Sequence, residues 1–264
     1  MTRYEKELRT AVHAAETAAS IYHNVSTAGT EIKDNTIGAY DVVTDNDVKA
    51  EKAILDVISK EFPDDSFLCE ESGDIGKSDR VWAVDPIDGT VNYARGATAY
   101  GTQISLNEGD ETLVSVILVP YDNITIYAEK GQGAFINGKR ISIAECRPMK
   151  ECILSSSDYT KRDKVFRSQH IELIDIICRK VARIRMYGCA CYDFAMLVSG
   201  CIDYHMRFLH HPWDHLPGML ISKEAGAVYD EDLFKKREFL MLARSDDNLS
   251  EITDAIDDEM HWLT

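Results

Sequence analysis

No stretch of the 264 residues holds the roughly 18–20 consecutive apolar residues that a membrane-spanning helix needs, so no membrane partner is expected. The first residues, Met1 to Leu8, are charged from the start and lack the apolar segment of a secretory signal. The last, His261 to Thr264, carry no prenylation motif. The seven cysteines form no regular disulfide framework. Cys189 and Cys191, with one residue between them, match neither a zinc knuckle nor a redox CxxC. A reduced, cytoplasmic protein is the expectation. Basic charge is scarce as well. No basic run exceeds Lys235-Lys236-Arg237, and 29 Lys and Arg against 45 Asp and Glu leave a formal charge of −16. Nucleic acid and anionic lipid are therefore not expected partners, because both are bound through Lys and Arg. Repeats, low-complexity tracts and Pro/Gly-rich linkers are missing too.

What is present is a core and a layered pattern. Forty-five per cent of the residues are hydrophobic, enough for one large folded unit or two fused halves. Residues 3–24 have helical spacing, with Tyr4, Leu8, Val12, Ala15, Ala19 and Tyr22 three or four apart. A polar stretch over 26–34 reads as an exposed loop. Residues 45–61 read as a helix with Val48, Ile54, Val57 and Ile58 on its inner side. Strands are expected at 67–69, 81–84, 102–106, 113–119 and 124–128, with the strand pattern running on to about 136. The second half alternates: strands at 153–156, 184–187 and 202–206, and helices at 164–180, 190–199, 214–225 and 248–262. This is an α/β or α+β layered architecture.

The most informative segment is Asp85-Pro86-Ile87-Asp88-Gly89-Thr90, followed by Asn92, at the end of an apolar strand. Pro86 fixes the backbone between two carboxylates and removes a donor, and Gly89 permits a sharp turn. A turn or helix starting at Asp88 would offer the free N–H groups of residues 88–90 to an anion. Carboxylates beside an anion cradle make electrostatic sense with a cation between them, and oxygen-only ligands favour Mg²⁺.

Further blocks occur in order along the chain: Asp41-Val42-Val43-Thr44 with Asp47, then Glu70-Glu71-Ser72, Gly131 to Gly138, Trp213-Asp214 with Gly218, and Glu224-Ala225-Gly226. With the Asp85–Thr90 segment, these resemble the inositol monophosphatase family of Mg²⁺-dependent, lithium-sensitive sugar-phosphate phosphatases. The resemblance spans about residues 41–226. It implies an α/β/α/β/α sandwich and one domain over residues 1–264. The sub-halves would be 1–150 (metal and catalysis) and 151–264 (substrate side), and homodimers are common in that family.

It also implies roles. Glu70, Asp85 and the carbonyl of Ile87 would hold a first Mg²⁺, and Asp85, Asp88 and Asp214 a second. A third, weaker ion would lean on Glu70, giving two to three per site. Asp41 and Thr90, with Glu70, would act on the attacking water. Asp88, Gly89, Thr90, Gly188, Cys189, Arg207 and Asp214 would face the substrate. The logic is that of two-metal hydrolysis, in which one ion activates water and another neutralises the leaving alkoxide, and bound cations reconcile an acidic protein with an anionic substrate.

Each assignment has a plainer alternative. Either Glu70 or Glu71 could be merely solvated, Asp41 could begin a helix, and Asp214 could be an N-cap, with Pro217 then third in its helix. Asp45-Asn46-Asp47 fails as a calcium loop because Lys49 stands at the third ligand position. His211 and His215 have the spacing of a zinc-protease helix, but Pro212 replaces the base. His205, His210, His211 and His215 read instead as substrate-site or surface residues. Arg207 stands seven residues before Asp214, where inositol-specific members carry a carboxylate. Its guanidinium suits a second phosphate or a carboxylate, or else simply faces solvent. The expected function is Mg²⁺-dependent hydrolysis of a small phosphate monoester, an inositol, sugar or polyol phosphate. Fructose 1,6-bisphosphate, a 3′-phosphoadenosine nucleotide, or a non-catalytic sugar-phosphate-binding role are the alternatives.

Overall fold

The computed structural model describes residues 2–23, 30–34, 41–143, 147–158, 164–209 and 211–260. The first half runs α1 (Glu5–Tyr22), β1 (Thr30–Asp34), β2 (Asp41–Thr44), α2 (Asp45–Glu61), β3 (Ser66–Cys69), β4 (Gly73–Ile75), β5 (Arg80–Asp88) and α3 (Thr90–Ala94). It continues through β6 (Gly101–Glu108), β7 (Glu111–Val119), β8 (Ile124–Glu129), β9 (Gly133–Ile136) and β10 (Lys139–Ile141). The second half contains β11 (Ile153–Ser156), α4 (Lys164–Cys178), β12 (Arg183–Arg185), α5 (Ala190–Val198), β13 (Tyr204–Phe208) and α6 (Pro212–Ala225). It ends with β14 (Val228–Tyr229), α7 (Glu231–Arg237), β15 (Phe239–Ala243) and α8 (Asp246–Met260).

An eight-stranded sheet is ordered β10-β9-β8-β7-β6-β5-β3-β4, and a five-stranded one β12-β11-β13-β15-β14. Helices α1 and α2 cover one face of the large sheet, α5 and α6 lie between the sheets, and α4 and α8 cover the small sheet. That is the expected α/β/α/β/α sandwich. Three apolar clusters fill the spaces between layers. Tyr22, Ile54 and Trp82 belong to the first, Ile117, Phe194 and Ile221 to the second, and Leu154, Phe208 and Ile252 to the third. Two contacts lock the layers near the middle. The Glu224 carboxylate accepts from the N–H groups of Gly131 and Gly133, 2.7 Å each, pinning α6 to the β8–β9 turn. At Gly218 a Cβ would lie 2.0 Å from the Phe194 ring, so only glycine lets α5 and α6 pack this closely.

Several expectations need correction. Within 26–34, residues 30–34 form a strand paired antiparallel with β2 rather than a loop, and 24–29 lie outside the described residues. The inner face of α2 is Asp47, Glu51, Ile54 and Ile58, while Val48 is 56% exposed. The strand expected at 184–187 is β12, which stops before the left-handed Gly188. The β14–α7–β15 stretch matches no expected element. Every residue of β15 is buried, so its run Phe239-Leu240-Met241-Leu242-Ala243 shows no alternation. The last helix is described over Asp246–Met260, and residues 261 and 262 lie outside the described ones.

Candidate active site

Strand β5 carries the chemistry at its C-terminal end. Asp85 pairs with Gln103 of β6 and Asp88 with Gly101, so three steps on β5 match two on β6. That extra residue is a bulge, placed where Pro86 could not donate to the ladder anyway. Residues three apart on a regular strand face opposite sides. The bulge restores the parity and turns both aspartates the same way. Glu70 joins them because its N–H donates to the Val84 carbonyl, 3.1 Å, extending the parallel β3–β5 ladder by one residue. Glu51, buried on α2, holds the loop that follows β3. It accepts the Glu71 N–H at 2.9 Å and the Ser72 hydroxyl, while Glu70 lies close enough to Asp85 to help hold its carboxyl above the usual range.

Asp214 comes from the other half as the third residue of α6, with His211 as N-cap. It is therefore not itself the cap, and Pro217 is the sixth residue of the helix, not the third. Asp85 is 2% exposed. Burial pushes its carboxyl well above the usual carboxylate range, and Glu70, Asp88 and Asp214 push in the same direction. Its Oδ1 has no hydrogen-bond partner, and no basic side chain pairs with it among the described residues. A buried carboxylate crowded by three others and given no cation of its own needs a counter-charge. The donors here, four carboxylates and the Ile87 carbonyl, are all hard oxygens, so the residues present fit Mg²⁺.

Thr90 opens α3 behind a left-handed Gly89. A Cβ at Gly89 would lie 2.8 Å from the Ala99 carbonyl and 3.0 Å from the Cys189 Cβ, so the turn requires glycine. The Thr90 hydroxyl is directed at the Ile87 carbonyl, 2.9 Å, and at Asp47 Oδ1, 3.2 Å. Asp47 Oδ2 meanwhile accepts the Thr44 N–H at 2.8 Å, closing a capping box at the start of α2. One carboxylate thus caps a helix and orients the threonine. In the sequence, Asp47 belongs to the family-like pattern without a role, and Glu51 belongs to no motif. The signal for both is their place on the buried side of α2, at 47, 51, 54 and 58. Asp41 lies in β2 opposite Asp34; its side chain is outside the described residues.

The substrate-side residues meet the carboxylates through Asn92 and Asp88. The Asn92 amide donates to the Ala99 carbonyl at 2.8 Å and the Tyr187 carbonyl at 2.7 Å, tying α3 to the Tyr187–Gly188 turn of the second half. Asp88 Oδ2 accepts the Cys191 N–H and the Gln103 amide, the latter at 3.2 Å, and the Cys189 thiol lies 3.5 Å away. Burial pushes the Cys189 thiol up to about 12 and raises Cys191 too.

Arg207 lies against Asp214. It is 6% exposed, so it does not face solvent. Its Nη1 donates to the Asp214 carbonyl at 3.0 Å and its Nη2 to Asp214 Oδ2 at 3.2 Å. The guanidinium is turned to the protein's own carboxylate because β13 delivers it under the first turn of α6. Neither His205 nor His215 is a surface residue. Both are buried, with basicity lowered by burial and then by Arg207, His215 to about 4. His205 Nδ1 pairs with the Ser155 hydroxyl at 2.8 Å. His211 stacks on Trp213, ring centres 4.6 Å apart; His210 lies outside the described residues.

Comparison with known proteins identifies the family. Residues 3–245 match the inositol monophosphatase family. A fructose-1,6-bisphosphatase/inositol-1-monophosphatase of Thermotoga maritima is 37% identical over 191 residues, 72% of each chain. The Nus factor SuhB of Escherichia coli is 29% identical over 226 residues, 85% of this chain and 84% of its own. The solved extragenic suppressor protein suhB from Bartonella henselae superposes with a TM-score of 0.87 at 26% identity, covering 97% of this chain and all of that one.

Proposed function

The chain belongs to the inositol monophosphatase family and is a phosphoric monoester hydrolase, and from that premise we propose Mg²⁺-dependent hydrolysis of a small sugar or polyol phosphate. The observation that carries the proposal is Asp85, buried with an unpartnered oxygen and three carboxylates around it. Glu70, Asp85, Asp88, Asp214 and the Ile87 carbonyl would hold the ions, two to three per site. Bound there, Mg²⁺ supplies Lewis acidity, making a water acidic enough to attack near neutral pH and easing charge onto the leaving oxygen.

The chain's own groups do the rest. The Thr90 hydroxyl, held by Asp47, can accept a hydrogen bond from the attacking water while its proton stays directed at the Asp47 carboxylate. Asp41 and Glu70 would share in orienting that water. The Gly89 and Thr90 N–H groups, at the open start of α3, would face the phosphate. Gly188 and Cys189 border the substrate, held against this centre by Asn92. Arg207 positions Asp214 rather than binding substrate, so it no longer argues for a bisphosphate or a 3′-phosphoadenosine nucleotide. The bisphosphate reading now leans only on the name of the Thermotoga maritima relative. On this assignment residues 1–264 act as one domain, the first half giving Glu70, Asp85, Asp88 and Thr90 and the second Asp214 and the substrate border.

The test is phosphate release from inositol, sugar and nucleotide phosphates with Mg²⁺, then with EDTA. Release should vanish with EDTA and return with added Mg²⁺. Release that ignores EDTA would overturn the metal assignment.

A further inference from the structure

Cys189 and Cys191 sit at the start of α5, both buried, their sulfurs 3.4 Å apart. Cys189 Sγ is 3.5 Å from Asp88 Oδ2, and one ligand atom from each of the three residues lies within 4.8 Å of the other two. A tetrahedral zinc ion, with Zn–S near 2.3 Å and Zn–O near 2.0 Å, sets two sulfurs about 3.8 Å apart and sulfur and oxygen about 3.5 Å apart. The two shorter spacings, 3.4 Å between the sulfurs and 3.5 Å from Cys189 to Asp88, lie within about 0.4 Å of that template. A second feature points the same way. Gln103 is fully buried, its amide nitrogen on the same Asp88 oxygen, and its Oε1 has no partner. Turning the amide over exchanges its two end atoms and brings that oxygen to the group as a fourth donor.

The backbone leaves room for the sulfurs. A Cβ on Gly101 would lie 2.8 Å from Cys191 Sγ, and one on Gly89 would lie 3.2 Å from Cys189 Sγ.

We propose that Cys189, Cys191 and Asp88, with Gln103 as the fourth donor, form a binding site for a thiophilic divalent cation of the zinc or cadmium kind. The sulfurs select against Mg²⁺, which prefers oxygen. A bound ion expels the thiol protons and draws Asp88 away from the oxygen cluster. Occupancy therefore inhibits hydrolysis, a consequence that rests on the function proposed above, whereas binding itself does not.

The test uses the full chain with the exposed Cys178 and Cys201 changed to Ser. Cadmium is titrated while the ultraviolet thiolate-to-metal absorption is followed, and the titration is repeated in Cys189→Ala, Cys191→Ala and the double variant. In parallel, Mg²⁺-supported phosphate release is measured against zinc, each variant relative to its own zinc-free rate. One equivalent of cadmium should give the band, each single variant should bind at least about ten-fold more weakly, and the double variant should give no band. Zinc inhibition should weaken in the same order. A band that survives in the double variant, or none in the parent, overturns the proposal while leaving Mg²⁺-dependent release intact. A thiolate band that the variants abolish, in a protein that releases no phosphate from any compound, would uphold the cation site and sink the hydrolase mechanism instead.

Discussion

Asp85 and Asp203 are both hidden from water, at 2% and 0% exposure, yet their surroundings are opposite. Asp203 is met by Arg244 at 3.2 Å, by Arg147 at 3.4 Å and by the Ile153 N–H at 2.8 Å. It ties β11, the residues before β13 and the residue after β15 into one knot. Asp85 has no such cation among the described residues and is crowded by three carboxylates. Where a buried charge holds the fold, the chain carries the counter-charge itself. At Asp85 the chain leaves the carboxylate unbalanced, as the proposed uptake of a cation from solution would require.

This contrast can be broken by experiment. The largest effect is expected for Asp85→Asn, which should cut Mg²⁺-supported turnover on the order of a thousand-fold while leaving the metal-free protein as stable or more so. Asp203→Asn should do the reverse, keeping turnover per folded molecule but lowering stability by about 3–5 kcal/mol, because two arginines lose their anion. Denaturant unfolding without metal, beside kcat, checks both. Equal destabilisation by the two changes would end the distinction. Next in size, Mg²⁺ at a hundred times its Kd should stabilise the wild type by about 2.7 kcal/mol, and Asp85→Asn should show little of that gain in a thermal melt.

A smaller effect sharpens the contrast at Asp214, which has an arginine of its own. Arg207→Met should raise the half-saturating Mg²⁺ concentration about ten-fold, since the carboxylate loses the group that aims it. A fall instead would mean that the guanidinium chiefly repels the ion. The smallest effect is expected at His170, whose Nε2 pairs with the Ser156 hydroxyl at 2.7 Å. Burial lowers its pKa from 6.5 to about 4. A depressed folded value means stability present above pH 6.5 and lost as pH falls through about 4. His170→Gln should flatten that part of the stability profile, measured by denaturation from pH 7 to 4, and an unchanged slope would assign the acid sensitivity elsewhere.

Much of this architecture is legible in the amino-acid sequence. The helices α1 and α2, the hairpins β6 to β8 and the Asp85–Thr90 segment all announce themselves through local pattern, because caps, turns and alternation act over a few residues. Other features are hidden for identifiable reasons. The run at 239–243 is buried on both faces and so has no period to read. Glu51 looks like an ordinary polar position until α2 is laid against the loop after β3, and Asp47 shows no role until α2 is laid against Thr90. Glu224 and Gly131, both parts of the family-like pattern, turn out to meet each other as structural fasteners.

By itself, the sequence determined the string of ligand types, the glycine and proline that shape their turn, and the excess of acid over base. Those properties are covalent or local. Only the tertiary structure decided that a bulge at Pro86 would set Asp85 and Asp88 on one side of β5. It also decided that β13 would deliver Arg207 to Asp214, and that two thiols of α5 would close on Asp88. Which charge stands beside which depends on what packs opposite, and the 126 positions that separate Asp88 from Asp214 are bridged only by the packing of α6 on the large sheet.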